Sequence, residues 1–154
     1  MNIKETAQLR LFGFLKIPML GYVSPSVDEV SDKKCVIKIP LSRKTKNHLG
    51  SMYFGTLAVG ADCAGGYIAW QLIRKSKSKI SLVFKDFHAD FRARPESDVY
   101  FVCEDGEAIS ALVEKTIQSA ERQNLPLKIR AETRKGETKT VADFVLTLSL
   151  KRRG

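Results

Sequence analysis

Helical and two-residue apolar periods alternate along this chain, and the changeovers mark out its elements. Residues 4–17 carry Leu9, Phe12 and Leu15 or Lys16 at helical spacing, and Pro18 is expected to end that helix. Residues 22–30 read as a short strand broken by Pro25. Residues 34–41 then alternate, with Cys35, Ile37, Ile39 and Leu41 on one face and Lys34 and Lys38 on the other. After a basic polar loop at 43–47 the helical period returns from about Ser51, a fair N-cap, to Arg74. Phe54, Leu57, Ala58, Ala61, Ala64, Ile68 and Leu72 form one stripe of that helix, yet Val59, Cys63 and Trp70 make the opposite face apolar too. Such a helix has to be enclosed by the rest of the fold.

Beyond Lys79 the period is two. Ile80, Leu82 and Phe84 alternate with Ser81, Val83 and Lys85, and the strand is expected to reach Arg94, where residues 95–98 turn it. Residues 99–104 return as a strand. Asp105 and Gly106 introduce an amphipathic helix over about 106–122, bearing Ile109, Leu112, Val113, Ile117 and Ala120 and ending before Pro126. A hairpin closes the chain, Leu127, Ile129 and Ala131 on one arm and Ala142, Phe144, Leu146, Leu148 and Leu150 on the other, turning at 135–137. Five or six mostly antiparallel strands, one enclosed long helix and two covering helices define an α+β class: a curved antiparallel sheet around one helix. At 154 residues, without repeats or a low-complexity linker, one domain spanning 1–154 is expected.

The most informative single position is Asp62. From Leu49 to Ile73 it is the one formal charge in twenty-five residues. A carboxylate in apolar surroundings is costly unless paired, protonated or used. Asn47, His48, Gln71 and several glycines, together with Asp62, weaken a membrane-spanning reading of this run, so a core helix is expected. Gly55, Gly60, Gly65 and Gly66 each lower helix propensity by roughly 1 kcal/mol; in return they permit close approach of a neighbouring backbone or ligand.

Composition narrows the function classes. Three cysteines, Cys35, Cys63 and Cys103, lack CxxC spacing, and two histidines, His48 and His88, lie far apart. A disulfide framework or a zinc site is not expected, and a reducing cytoplasm fits. No secretory signal is visible at the N-terminus. The net charge of +9 suits a polyanionic partner: nucleic acid, anionic lipid or a phosphorylated cofactor. No recognition-helix, zinc-finger or RNA-stacking motif accompanies it, which ranks nucleic acid last. His88 and Asp90 share a strand face, too little for a metal site or a triad. Cys63 adjoins Asp62, but successive helix positions diverge by about 100°, so it is expected to point elsewhere.

The segment Asn47-His48-Leu49-Gly50-Ser51-Met52-Tyr53-Phe54-Gly55, opening a long central helix, resembles the hotdog-fold acyl-coenzyme A thioesterases. It is most similar to the phenylacetate-pathway type, whose helix begins Gly-x-x-His-Gly-Gly and carries a catalytic Asp nine residues after the His. Here Gly50 to Gly55 occupies that segment, and nine residues beyond Tyr53 stands Asp62. The resemblance covers residues 21–150, its specific motif only 47–62. Tyr53 replaces the family's His, and Phe54 replaces a Gly and brings a side chain that would crowd a thioester. A poorly characterised branch of the superfamily resembles this chain through the same run.

The resemblance implies hydrolysis of an acyl or aryl thioester carried by coenzyme A or a carrier protein, with no cofactor beyond coenzyme A as part of the substrate. It implies that the N–H of Phe54 or Gly55 holds the thioester oxygen, and that Asp62, from the facing subunit, is general base or nucleophile. Asn47 would place water or the carbonyl, or simply cap the helix or brace the loop. Tyr53 would line the acyl tunnel or pack in the core. His48 would bind a phosphate or sit in a wet loop, and Arg92 and Arg94 would meet coenzyme A phosphates or form a solvated edge. Unpaired sheet edges imply a homodimer or a dimer of dimers. The alternative is a non-catalytic acyl-thioester or fatty-acid binding protein of the same fold.

Overall fold

Both periods become regular structure in the computed structural model, which describes residues 1–154. Strands β1 (Ser26–Val30), β2 (Cys35–Ile39), β3 (Ile80–Phe91), β4 (Val99–Cys103), β5 (Gln123–Thr133) and β6 (Lys139–Arg152) form one antiparallel sheet in the order β1-β2-β4-β5-β6-β3. Helices α1 (Ile3–Lys16), α2 (Pro18–Tyr22), α3 (Phe54–Ser76) and α4 (Gly106–Gln118) complete the chain. The sheet curves around α3 because each inward row of side chains is apolar: Cys35, Ile37 and Ile39 from β2, Leu127, Ile129 and Ala131 from β5, Phe144, Leu146, Leu148 and Leu150 from β6. Burying such rows is the main source of stability, at roughly 1.5–3 kcal/mol per large side chain.

The glycines of α3 bring the helix close to that sheet. A Cβ at Gly60 would overlap the ring of Phe101, which is fully buried on β4, and one at Gly65 would lie 3.1 Å from a methyl of Leu146. The far side of α3 is covered by α1 and α2. Phe12 stacks on Trp70 with ring centroids 4.8 Å apart, and the Glu5 carboxylate accepts hydrogen bonds from the Tyr67 hydroxyl and the Gln71 amide. The start of α1 is fastened to β1 by Asn2 N–H to the Val27 carbonyl at 2.7 Å and Val27 N–H to Thr6 Oγ1 at 2.9 Å.

Several boundaries differ from the sequence expectation, each for a local reason. Helix α1 ends just before Pro18, as expected, but Pro18 also starts a second helix: it occupies the first turn of α2, where its missing N–H is harmless. Residues 22–25 are therefore helix end and turn rather than strand, and β1 begins after Pro25. The α1–α2 turn is tight enough that a Cβ on Gly13 would meet the Gly21 nitrogen at 2.8 Å. Helix α3 starts at Phe54, not Ser51; its N-cap is Tyr53, without a side-chain cap, and Ser51 is buried in the preceding loop. Nor is α3 enclosed throughout, since Phe54 is 61% exposed. Leu15 points outward with Leu11 and Phe14, so α1 is not the simple amphipathic helix expected.

Helix α4 stops at Gln118, and Pro126 lies within β5 opposite Thr147. This is tolerated because β4 pairs only with residues 129–133 of β5, leaving Pro126 with a ladder on one side. The Thr147 N–H donates to the Asp86 carboxylate at 3.0 Å, where β3 bulges between Phe84 and Phe87. Strand β3 ends at Phe91, short of Arg94, and its outer edge is unpaired.

Replacing Gly60 by Ala tests the helix–sheet contact. The methyl gains about 1 kcal/mol of helix propensity but overpacks against Phe101, at about 1–3 kcal/mol. Gly60→Ala is therefore expected to lower the urea midpoint with an unchanged slope. A midpoint above that of the wild type would mean that Phe101 can yield.

Candidate functional site

The start of α3 is delivered by a loop that is tied down at every step. Thr45 Oγ1 donates to the Pro40 carbonyl at 2.6 Å and accepts from Ser42 N–H at 2.9 Å. Asn47 Oδ1 accepts from the N–H groups of Leu49 and Ser51 at 2.9 and 3.2 Å, and Gly50 takes the left-handed conformation that closes this turn (φ 78°). Met52 N–H then reaches the Pro95 carbonyl and Tyr53 N–H the Thr45 carbonyl, both at 2.8 Å. Tyr53 is left extended, and the N–H groups of Phe54, Gly55 and Thr56 project from the helix end without a protein acceptor. This end carries the positive pole of the helix dipole.

Aromatic rings surround it. Tyr53 and Phe54 meet edge to face at 4.9 Å, and Phe54 meets Phe91 of β3 at 6.2 Å. The Tyr53 ring lies over Gly55, where a larger residue would collide with it. Arg92 forms an ion pair with the Asp143 carboxylate at 2.5 Å and lies 3.5 Å from Asp90, whereas Arg94 is exposed and has no ion pair. His48 is exposed in the loop, and His88 and Asp90 are exposed on β3. The structure thus gathers Asn47, His48, Tyr53, Phe54, Gly55 and the segment carrying Arg92 and Arg94 at one end of α3.

Asp62 is elsewhere. Eight residues separate it from Phe54, about 12 Å along the helix axis at 1.5 Å per residue. It lies mostly buried at the edge of an apolar cavity of about 140 Å³ between α3, the α1–α2 pair and β3. Leu9, Phe12, Leu20, Tyr67, Trp70 and Leu82 supply most of the lining. No hydrogen bond or ion pair offsets the lost hydration, and burial alone pushes the Asp62 carboxyl above the usual carboxylate range. Cys63, expected to point away, lines the same cavity, because the space is broad enough to meet two adjacent helix positions. Burial, and then the nearby Asp62, push its thiol far up, so it is no nucleophile at neutral pH.

The cavity wall escaped the sequence reading. Leu9 and Phe12 were legible only as core positions, Ile17 is the cap between α1 and α2, and Leu20 belongs to a helix that Pro18 concealed. Trp70 carried the one available signal: a large aromatic on the same apolar side of α3 as Cys63.

Residues 6–149 match the family described as Domain of unknown function (DUF4442). No curated protein matches the chain. Among solved structures, a protein of unknown function from Chlorobaculum tepidum is similar at a TM-score of 0.81 and 13% identity, covering 96% of this chain and 94% of its own. A variant of a thioesterase from Pseudomonas aeruginosa gives 0.72 and 17%, with the same coverages. A thioesterase family protein from Silicibacter pomeroyi gives 0.70 and 19%, over 96% and 99%. At such identities the likeness establishes the fold: the curved sheet wrapped on α3 is the hotdog fold.

Because burial raises the Asp62 pKa, the folded chain keeps that proton to higher pH than the unfolded chain does. Ionisation therefore works against folding. Relative to Asp62→Asn, the wild type should lose stability as pH rises from the ordinary Asp value of about 3.9 through the higher folded value. Above that the difference should stay constant. Urea unfolding of both proteins between about pH 3 and 8 reads this directly; parallel curves would mean a solvated carboxylate.

Proposed function

The chain belongs to the DUF4442 family, and we propose that it hydrolyses acyl thioesters, using Asp62 against the N-terminus of α3 from a second copy. The observation that carries this is the uncompensated Asp62 carboxylate bordering an apolar cavity. A structural aspartate would have acquired a partner; a general base for water needs a raised pKa and a dry neighbour able to hold an acyl or aryl group. The nine-residue spacing from Tyr53, shared with the phenylacetate-pathway type, supports the same role.

In the proposed step Asp62 removes a proton from water as the water oxygen attacks the thioester carbonyl carbon. The developing oxyanion accepts hydrogen bonds from the N–H of Phe54 or Gly55, which need no reorganisation to receive it. The C–S bond then breaks, and the thiolate leaves with the proton from Asp62, giving a carboxylic acid and a free thiol. Acting as nucleophile instead, Asp62 would attack the carbonyl carbon and expel the thiolate, forming an acyl anhydride; water then opens it to the carboxylic acid and the Asp62 carboxyl, whose proton passes to the thiolate. With its oxygen held by the loop, Asn47 keeps its amide N–H groups to orient the carbonyl or the water. Arg94, His48 and, less freely, the paired Arg92 would meet the phosphates of coenzyme A, which enters only as part of the substrate. A carrier-protein thioester would present the same arm. Tyr53 would line the acyl path.

The 12 Å separation is the reason for a second copy: one carbonyl cannot touch both Asp62 and its own helix terminus. The unpaired outer edge of β3, with Val83, Phe87 and Phe91 exposed, offers the surface for a homodimer, and a dimer of dimers would follow from further sheet docking. Three free cysteines suit a cytoplasmic setting. No helix is long and apolar enough to cross a membrane. A second reading, acyl-thioester binding without turnover, is favoured by the Tyr53 and Phe54 rings crowding the helix end.

Thiol release over a panel of aliphatic and aryl acyl-coenzyme A substrates separates the two. Asp62→Asn should cost about 10²–10⁴ in kcat, the worth of a general base, while ligand affinity persists. Undiminished release in Asp62→Asn would remove Asp62 from the mechanism, and tight binding with no release by the wild type would establish the binding protein. The cross-subunit site has its own check. Phe54→Pro removes one of the two candidate N–H groups at the first position of α3, where proline is tolerated and the preceding Tyr53 is already extended. Refolding it one-to-one with Asp62→Asn should restore about a quarter of wild-type activity, because half of the dimers regain one of two sites. No recovery would place both groups in one chain.

A further inference from the structure

Helix α1 is apolar on two opposite faces. Thr6, Leu9 and Gly13 are buried against the body of the protein, while Leu11, Phe14 and Leu15, half a turn round, face outward. Helix α2 continues the outward set with Met19 and Tyr22, joined through Ile17. Six exposed apolar side chains thus fall within residues 11–22, and Phe14, Leu15 and Met19 are 76%, 63% and 60% exposed. A helix apolar on both sides needs something to cover the second one.

The charge around the patch says what. Residues 6–27 contain Arg10 and Lys16 and no carboxylate. The neighbouring loop, 40–53, adds Arg43, Lys44 and Lys46 and again no carboxylate. It is held beside the patch, with the Lys44 ammonium 5.2 Å from the Tyr22 ring. All seventeen Asp and Glu residues lie outside these two stretches. A second copy of the same surface would set cations against cations across the two-fold axis, which opposes self-pairing.

From this arrangement we infer that the α1–α2 face docks on an anionic lipid bilayer, Leu11, Phe14, Leu15 and Met19 entering the acyl boundary and the cations lying among the headgroups. Interfacial helices bind by this combination of apolar burial and attraction to acidic lipid. Lys16 can extend its ammonium to the headgroups while its stem stays with the apolar side chains. Ile17 belongs to the exposed cluster and to the wall of the Asp62 cavity, so docking would bring that cavity up behind the lipid surface.

Flotation of the full chain with vesicles tests this. In about 0.15 M salt the wild type should float with phosphatidylcholine vesicles containing about 30% phosphatidylglycerol and stay down with pure phosphatidylcholine. Leu11→Ser/Phe14→Ser/Leu15→Ser, which touches no buried position, should weaken binding about tenfold or more, with circular dichroism confirming the fold. Lys16→Glu/Lys44→Glu should lose the preference for acidic lipid. Wild type that never floats, or a triple-serine variant that floats equally, overturns the inference. So does a triple-serine variant that sediments as a smaller oligomer while the wild type ignores vesicles, since a second copy would then be the cover.

Discussion

The enclosure of α3 governs this protein. A helix with apolar residues on nearly every side needs cover on nearly every side, and two different surfaces divide that work beyond its exposed start at Phe54. The sheet takes one side, close enough at Gly60 that the Phe101 ring fills the place of a side chain. The α1–α2 pair takes the other through Phe12, Trp70 and the carboxylate of Glu5. Both ends of the chain are committed to the same task, since β6 near the C-terminus provides Leu146 and Leu148 beneath the helix.

That division explains where chemistry is available. Packing against the sheet is close, with Phe101 and Leu146 filling the space beside Gly60 and Gly65. The looser contact, between α3 and the two short helices, leaves the cavity, and Asp62 stands at its edge with no counter-charge. The exposed amides are two turns away, held by a loop whose hydrogen bonds fix Tyr53 in an extended conformation. The carboxylate and the amides of one chain thus sit too far apart to touch a single carbonyl, and a long unpaired strand edge lies close to the amide end. In the proposed mechanism a second chain would supply the missing half of the site, and the open edge of β3 is where it could pair.

Much of this architecture was legible from residue spacing. Alternation located β2, β3, β4 and the β5–β6 hairpin, and the helical period located α3 to within a few residues, because burial on one face leaves a regular trace. Boundaries were less readable where one residue serves two geometries. Pro18 terminates helices and also starts them; Pro126 is excluded from a strand with two neighbours and tolerated where it has one. Ser51 looks like a cap, but the Asn47 turn holds it inside the loop.

The sequence by itself determined the enclosed helix, the sheet around it and the isolation of Asp62, since each is a matter of apolar spacing along a local stretch. Only the tertiary structure decided that α1 and α2 roof the cavity and that their outer face stays apolar, with Lys44 of the neighbouring loop beside it. It alone showed that the Asp62 carboxylate has no partner. Those facts depend on contacts between residues far apart in the chain, and local periodicity carries no record of which distant side chain fails to arrive.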